Sequence, residues 1–356
     1  MKNINITFIQ LKDKMTDEKI KDIILRLDKL IWKENNYPYK IPKHIYFKNE
    51  FKENYNSYYY IIARIKSDVI TGCIRFELEK LGDNNYECYI EPYIKPNYRK
   101  KGIFKSLIKD LLNNIPTEVN LINGHLRSDL NSSFENYLSN LGGKIVYTVR
   151  RSSTNIREFD LELVSLKAIK LKKSALDKGY NVHFAKNGDF KSLGIFSDSD
   201  YVKLIENLKN DMPKDNKIQD KKTLDVKKYM TRYDKISKLK CESYTFVITD
   251  KDSKPIAMTE CWNKWESPDH ARQSDTGVLF KHRGNQLGLT LKYQMLQYLL
   301  TNPDCKNVIF WSTGNASSNK HMLAINKELK YKEDGIFKIF YINKDIIVKK
   351  LENKNY

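Results

Sequence analysis

The sequence predicts an α/β protein built from two similar domains in tandem, each a mixed, mostly antiparallel twisted sheet flanked by helices. Three observations carry this expectation. The chain has 356 residues, enough for two domains with a core each. Its halves run through one order of periodic segments: three strands, a helix, a strand, a helix and a closing strand. In each half the third strand runs into a basic, glycine-containing turn that opens a helix.

In the first half a helix over 17–32 precedes strands at 58–65, 69–77 and 86–94. The turn KPNYRKKG leads into a helix over 103–115, with Leu107, Ile108, Leu111 and Leu112 on its apolar face. A strand at 119–126, a helix at 132–141 and a strand at 144–149 complete the set. Residues 163–178 read as a linking helix that stops at Gly179. The second half follows with a strand at 181–185, helices at 199–208 and 226–236, and strands at 244–250, 255–263 and 275–280. The turn KHRGNQ precedes a helix over 287–300, a strand at 307–311, a helix at 320–329 and a strand at 336–342. The expected domains are therefore 1–178, including the linking helix 163–178, and 179–356.

Composition narrows the class. The N-terminus lacks a signal peptide's apolar core, and no apolar run approaches the roughly 18 residues of a membrane span, so a cytoplasmic protein without membrane contact is expected. Five scattered cysteines with no CxxC pair suit a reducing cytosol better than a disulfide framework. Cys73 and Cys88 fall in strand-like apolar runs and read as packing residues. The formal charge of +19 is divided evenly, with 32 basic and 22 acidic residues in 1–178 against 31 and 22 in 179–356. A charge so spread argues against a nucleic-acid face and is compatible with attraction of a polyanionic coenzyme. The run YNSYYYII from Tyr55 to Ile62 offers stacking aromatics, but a half-buried strand explains it more simply.

The turns carry the chemistry. The first reads Arg99-Lys100-Lys101-Gly102-Ile103-Phe104 and the second Arg283-Gly284-Asn285-Gln286-Leu287-Gly288. A helix N-terminus offers unpaired N–H groups and about half a unit of positive charge. Glycine lets a phosphate approach the backbone, and the basic side chains add charge-assisted contacts. A pyrophosphate is the natural guest.

In this order of elements, both turns resemble motif A of the GNAT acetyltransferases. The stretch TGVLFKHRGNQLGLTLK, Thr276 to Lys292, is similar to one branch of that family, as is WSTGNASSNKHMLAINKELKY, Trp311 to Tyr331. The resemblance implies an acyl-CoA-binding protein that passes an acetyl group from acetyl-CoA directly to an amine, with no metal. It also implies a coenzyme-binding asparagine opening the later helix, twelve residues before the aromatic of a Gly-Phe pair. Asn319 stands twelve before Tyr331 and Asn131 twelve before Gly143, and each could equally be a helix cap. Two departures stand out: Phe104 replaces a small residue and could crowd the pyrophosphate, and Gln286 replaces a glycine. The tyrosine that often protonates the departing thiolate is missing in both halves, where Leu138 and Asn326 stand, although Tyr137 is adjacent to the first.

The resemblance further implies an oxyanion contact from the backbone near Ile94 or Val278, in a splayed third strand. It calls for a carboxylate base, for which Glu260, or Glu91 as its first-half counterpart, is the candidate; an ion-pair partner is the alternative reading of Glu260. Asp275 and Gln273 would orient substrate, Asn315 would face the coenzyme, and His282 would cap the turn or touch the coenzyme. Trp262 and Trp265 either line an acceptor pocket or pack. The second half, closer to the family from Glu260 to Tyr331, is expected to carry most of the chemistry. The acceptor is expected to be the amine of a small molecule or peptide-like metabolite. A protein or RNA amine, or a non-catalytic coenzyme-binding role, are the alternatives.

Overall fold

The structure, a computed structural model, describes residues 4–10, 17–34, 58–65, 69–82, 85–127, 132–211, 223–238, 241–264 and 267–352. The expected sites Asn131 and Trp265 and the start of the aromatic run, 55–57, lie outside these residues. By packing, the chain divides into Met1–Val149 with Ile336–Tyr356, unit 1, and Arg150–Gly335, unit 2. The compact units are drawn differently from the sequence halves expected to meet at Gly179, because the segment from Ile336 belongs to unit 1 and that from Arg150 to unit 2.

Along the chain run β1 (Ile4–Gln10), α1 (Glu18–Glu34), β2 (Tyr58–Ile65), β3 (Val69–Gly82), β4 (Asn85–Ile94), α2 (Ile103–Asn114), β5 (Val119–Arg127) and α3 (Ser132–Asn140). They are followed by β6 (Lys144–Asn155), α4 (Leu161–Leu176), β7 (Asn181–Lys186), α5 (Asp198–Asp211), α6 (Val226–Lys238), β8 (Cys241–Thr249), β9 (Pro255–Lys264) and β10 (Ser267–Val278). Last come α7 (Leu287–Thr301), β11 (Phe310–Ala316), α8 (Lys320–Glu328), β12 (Lys332–Asn343) and α9 (Lys344–Glu352). β1 and α9 were not expected. β11 runs on to Ala316, five residues past its expected end, because its polar Ser312-Thr313-Gly314-Asn315 run breaks the apolar pattern that marked the strand.

In unit 1 the sheet order is β1-β2-β3-β4-β5, closed by the part of β12 from Ile336. All pairs are antiparallel except β4 with β5. Phe337–Asn343 of β12 pairs with Leu121–Arg127 of β5. The apolar stripe of α2, Leu107, Ile108 and Leu111, joins Ile74, Phe76, Ile90 and Ile122 in the core, with Phe340, Ile342, Ile347 and Leu351 from the C-terminal segment.

In unit 2 the order is β6-β11-β10-β9-β8-β7, with β10 and β11 paired in parallel. Strand alternation sends Phe246 and Ile248 into one core with Leu291, Met295 and Trp311, and Val247 and Met258 into another with Leu204, Ile205 and Tyr233. The linking helix α4 belongs to this unit, since Val164 and Ala175 pack in its core and Ala168 O accepts a hydrogen bond from Gln294 Nε2 of α7 at 2.9 Å.

Candidate active site

Each parallel pair parts toward its turn. β4 and β5 pair from Tyr86↔Val119 to Ile90↔Gly124 and no further, leaving Glu91–Ile94 without a β5 partner. At this closing point Gly124 is required by space, since a Cβ there would lie 2.4 Å from the Ile90 carbonyl oxygen. β10 and β11 pair only from His270↔Phe310 to Arg272↔Ser312, leaving Gln273–Val278 facing an opening. Unit 2 adds a bulge between Gln273 and Thr276, stayed by Gln273 Nε2, which donates to Thr259 Oγ1 at 2.9 Å and to Asp275 O at 3.1 Å. Gln273 is therefore a buried strut of the bulge. Ile94 and Val278, the expected oxyanion positions, are the last residues of the two parted strands.

Beyond each opening lies the turn, and the two copies follow one backbone path. Lys100 and Gly102 have φ of 58° and 76°; the equivalent Gly284 and Gln286 have φ of 83° and 59°. Each turn thus needs two left-handed residues, and glycine takes the second place in one copy and the first in the other. This explains Gln286: the conformation survives the lost glycine because Gly284 relieves its partner position. The arginines act alike, Arg99 Nε donating to Ile94 O at 3.1 Å and Arg283 Nε to Val278 O at 3.0 Å, which ties turn to strand end. Arg283 also pairs with Asp211 at 2.7 Å. Lys101 lies 5.3 Å over the Tyr98 ring.

Neither helix that follows has a side-chain cap, at Gly102 before Ile103 or at Gln286 before Leu287. The first intrahelical bonds come from Ser106 N to Gly102 O and Thr290 N to Gln286 O, so the donors before them point out of the helix. A Cβ on Gly102 or Gly284 would meet nothing within 4 Å. Uncapped donors, open space and basic side chains give each turn the features that favour an anion cradle.

The copies differ one turn on. A Cβ on Gly288 would lie 3.4 Å from Ile325, leaving room there only for a small group. Phe104, its counterpart, packs edge-on against Phe134 at 4.8 Å and Tyr137 at 5.5 Å, so its ring is directed onto α3. Asn319 caps α8, its Oδ1 accepting from Met322 N at 3.2 Å. Asn315 sits in β11 past the parting, with Nδ2 3.4 Å from Thr313 Oγ1. His282 and Asn285 gather at Tyr180: His282 Nδ1 lies 3.3 Å from its hydroxyl, and Asn285 Nδ2 donates to His282 O at 3.2 Å. Leu138 and Asn326 are both buried.

Glu260 is wholly buried. Its oxygens accept from Arg232 at 2.9 and 3.1 Å and from the Tyr233 hydroxyl at 2.7 Å. The Arg232 guanidinium in turn lies 3.9 Å from the Tyr229 ring centroid, 4.7 Å from that of Tyr233 and 5.8 Å from that of Trp262. Glu260 is therefore an ion-pair and hydrogen-bond partner that holds Arg232 and Tyr233. Half-buried Asp275 is near enough for its charge to raise the Tyr229 phenol, after the larger effect of burial.

The strand register also corrects the pairing of carboxylates across the copies. Gly72 pairs with Ile94 and Ala257 with Val278, so Glu260, three residues after Ala257, corresponds to Arg75, three after Gly72. Glu91 is the partner of Arg75, and it corresponds to Asp275. Counting by sequence misplaced it because the two carboxylates lie on different strands. All five cysteines are buried and none forms a disulfide, and burial pushes the Cys88 and Cys261 thiols well above their ordinary range. Among the described residues no three His, Cys, Asp or Glu are grouped to hold a metal, and no helix is long and apolar enough to cross a membrane.

Known proteins share this architecture. No family model matches the sequence, and no curated protein matches it either. Among solved structures, a tandem GNAT protein from the clavulanic acid biosynthesis pathway superposes with a TM-score of 0.64 at 14% identity, over 96% of this chain and 99% of that one. A GCN5-related N-acetyltransferase from Sphaerobacter thermophilus gives a TM-score of 0.60 at 10% identity, over 97% and 96%. A GCN5-related glucosamine N-acetyltransferase region of a fungal multi-domain GH3 β-N-acetylglucosaminidase gives 0.61 at 12% identity, over 96% of this chain and 38% of that protein. The chain therefore has the tandem GNAT fold, as its repeated turns led us to expect.

Proposed function

We propose that the protein is an acyl-CoA-dependent N-acyltransferase of the cytoplasm, with acetyl-CoA as donor and a primary amine of a small molecule or peptide-like metabolite as acceptor. The observation that carries this is the pair of uncapped helix starts, each set behind two left-handed residues at the mouth of a parted parallel strand pair. The cradle takes the coenzyme's pyrophosphate on the N–H groups of Lys101, Gly102, Ile103 and Phe104 in unit 1, and of Asn285, Gln286, Leu287 and Gly288 in unit 2. The pantetheine arm then lies in the opening as an extra strand, which brings the thioester to the point where the strands close. Arg99, Lys100 and Arg283 supply charge, and Asn315 and Asn319 line the unit 2 opening. Asp275, and Glu260 through Arg232 and Tyr233, bind polar groups of the acceptor. Buried cysteines without disulfides suit a reducing compartment.

Acetyl-CoA is expected to bind and to raise the melting temperature by several kelvin at saturation. Calorimetry that finds no heat at millimolar acetyl-CoA, with no melting shift, would sink the reading. Gly102→Asp and Gly284→Asp each set a carboxylate into the open space of a cradle. Asp tolerates the left-handed backbone better than most residues, so the folds should survive. At least one variant is expected to bind acetyl-CoA at least about tenfold more weakly, the effect of losing a charge-assisted contact worth roughly 1.5–3 kcal/mol. Parental affinity in both variants would reduce the turns to ordinary helix starts.

A further inference from the structure

In unit 2 the guanidinium of Arg232 spends one of its nitrogens on the protein. Nη2 donates to both oxygens of Glu260 and to the Tyr233 hydroxyl, and the guanidinium makes no other hydrogen bond among the described residues. Nε is buried without an acceptor, and so are two donors on the rings that flank the group, the Tyr229 hydroxyl and Trp262 Nε1. Burial raises the Tyr229 phenol well above its ordinary value, against the pull of Arg232, so this hydroxyl stays protonated and able to donate. The Arg232 side chain keeps 23% exposure, and Tyr229 and Trp262 are half-buried, so the cluster reaches the surface.

Acceptors gather at the other end of this cluster. Asp275 lies in the stretch of β10 that has no β11 partner, and its carboxylate carries no ion pair among the described residues. Its charge is felt at the Tyr229 phenol, so it stands within electrostatic reach of the donors without being paired to Arg232. Gln273 gives its amide nitrogen to the carbonyls of Glu260 and Asp275, which leaves Oε1 buried and without a donor. Buried polar groups without partners cost stability, so a ligand that supplies both kinds of partner is favoured here.

We propose that unit 2 takes as its acceptor an amino acid, whose carboxylate binds Arg232, Tyr229 and Trp262 and whose ammonium binds Asp275 and Gln273. The proposal rests on the acyl-transfer reading and narrows its acceptor. A carboxylate only accepts hydrogen bonds, and so matches a cluster that offers guanidinium, phenol and indole donors. An ammonium only donates, and so matches the Asp275 carboxylate and the Gln273 carbonyl. A polycationic amine fits poorly, because its second ammonium would stand where the carboxylate is expected and would face Arg232. Glu260 and Tyr233 are positioning residues: by engaging Nη2 they hold the guanidinium and leave Nη1 to the ligand.

The test uses the full-length protein, acetyl-CoA and a panel of the proteinogenic amino acids with β-alanine and γ-aminobutyrate, each beside the amine left when its carboxylate is removed. Thiol release gives kcat and KM, and calorimetry gives amino-acid affinity with and without free coenzyme A. At least one amino acid is expected to exceed its matched amine in kcat/KM by about tenfold or more, chiefly through KM. Arg232→Lys keeps a charge opposite Glu260 but loses the planar fork. It should raise that KM about 10- to 100-fold, while kcat and the matched amine's KM change less than about threefold. Tyr229→Phe keeps the ring against the guanidinium and should raise the same KM. Circular dichroism confirms that each variant is folded; should Arg232→Lys unfold, Tyr229→Phe decides. If acetyl-CoA does not bind, the acyl-transfer reading falls, and amino-acid affinity in the wild type against the variants still decides the carboxylate site. If acetyl-CoA binds but no amino acid outperforms its matched amine, or if the folded variants keep the wild-type KM, the proposal alone is overturned.

Discussion

A chain ending at Gly335 is expected to lose the fold of unit 1 while keeping that of unit 2. Unit 1 takes its closing strand from the C-terminus, where Phe337–Asn343 pairs with β5. Phe340, Ile342, Ile347 and Leu351 are buried in its core. At about 1.5–3 kcal/mol for each buried side chain, their removal forfeits roughly 6–12 kcal/mol. That is comparable with the whole stability of a domain, about 5–15 kcal/mol. The truncation also leaves β5 as an unpaired edge. Neither core of unit 2 contains a residue beyond Gly335. Hydrogen exchange should therefore show β2 to β5 unprotected in the truncated chain and β8 to β10 unchanged. Full protection of β5 in the truncated chain would show that the C-terminal segment is dispensable to unit 1.

Lys292→Met is expected to stabilise unit 2 by several kcal/mol at neutral pH. Lys292 is fully buried on α7, its Nζ has no hydrogen-bond partner among the described residues, and it lies 4.5 Å over the Trp311 ring. Burial lowers its pKa from 10.5 to about 7, opposed weakly by Cys261. The sign follows from a base whose folded pKa is depressed. Above 10.5 the amine is neutral in both states and nothing is lost. As pH falls toward 7 the unfolded chain takes up a proton that the folded one refuses, and stability drops by up to about 1.4 kcal/mol per pH unit. Across the window this amounts to about 5 kcal/mol, and below it the penalty stays constant. Met keeps the shape without the amine. Urea unfolding can be followed by tryptophan fluorescence, since Trp262 and Trp311 are both in unit 2. The gain should be largest at pH 7 and shrink toward pH 10.5. A gain independent of pH would mean that the folded state holds this lysine charged.

Much of the fold was legible because period and turn chemistry are local. Alternating apolar residues placed β2 and β9, and the 3.6-residue stripe of Leu107, Ile108 and Leu111 placed α2. The two turns were visible as a strand end, a basic residue, a glycine and a helix start. Lys292 was not visible as buried, because a lysine in a helix reads as surface unless something covers its face. Here α4 packs on the outer side of α7, so few of that helix's faces reach water.

The sequence by itself determined most of the secondary structure and the position of both basic turns, since each depends on neighbours within a few residues. Only the tertiary structure decided which strand closes which sheet, because exchange of β12 and the end of β6 depends on edges far apart in the chain. It also decided that Glu260 faces Arg232 and Tyr233, 28 and 27 residues away, rather than an open cleft. It likewise set His125 beside Glu91, because a parallel strand pair joins residues across a whole crossover helix. Such meetings leave no periodic trace, for they are fixed by register between strands and not by spacing along one.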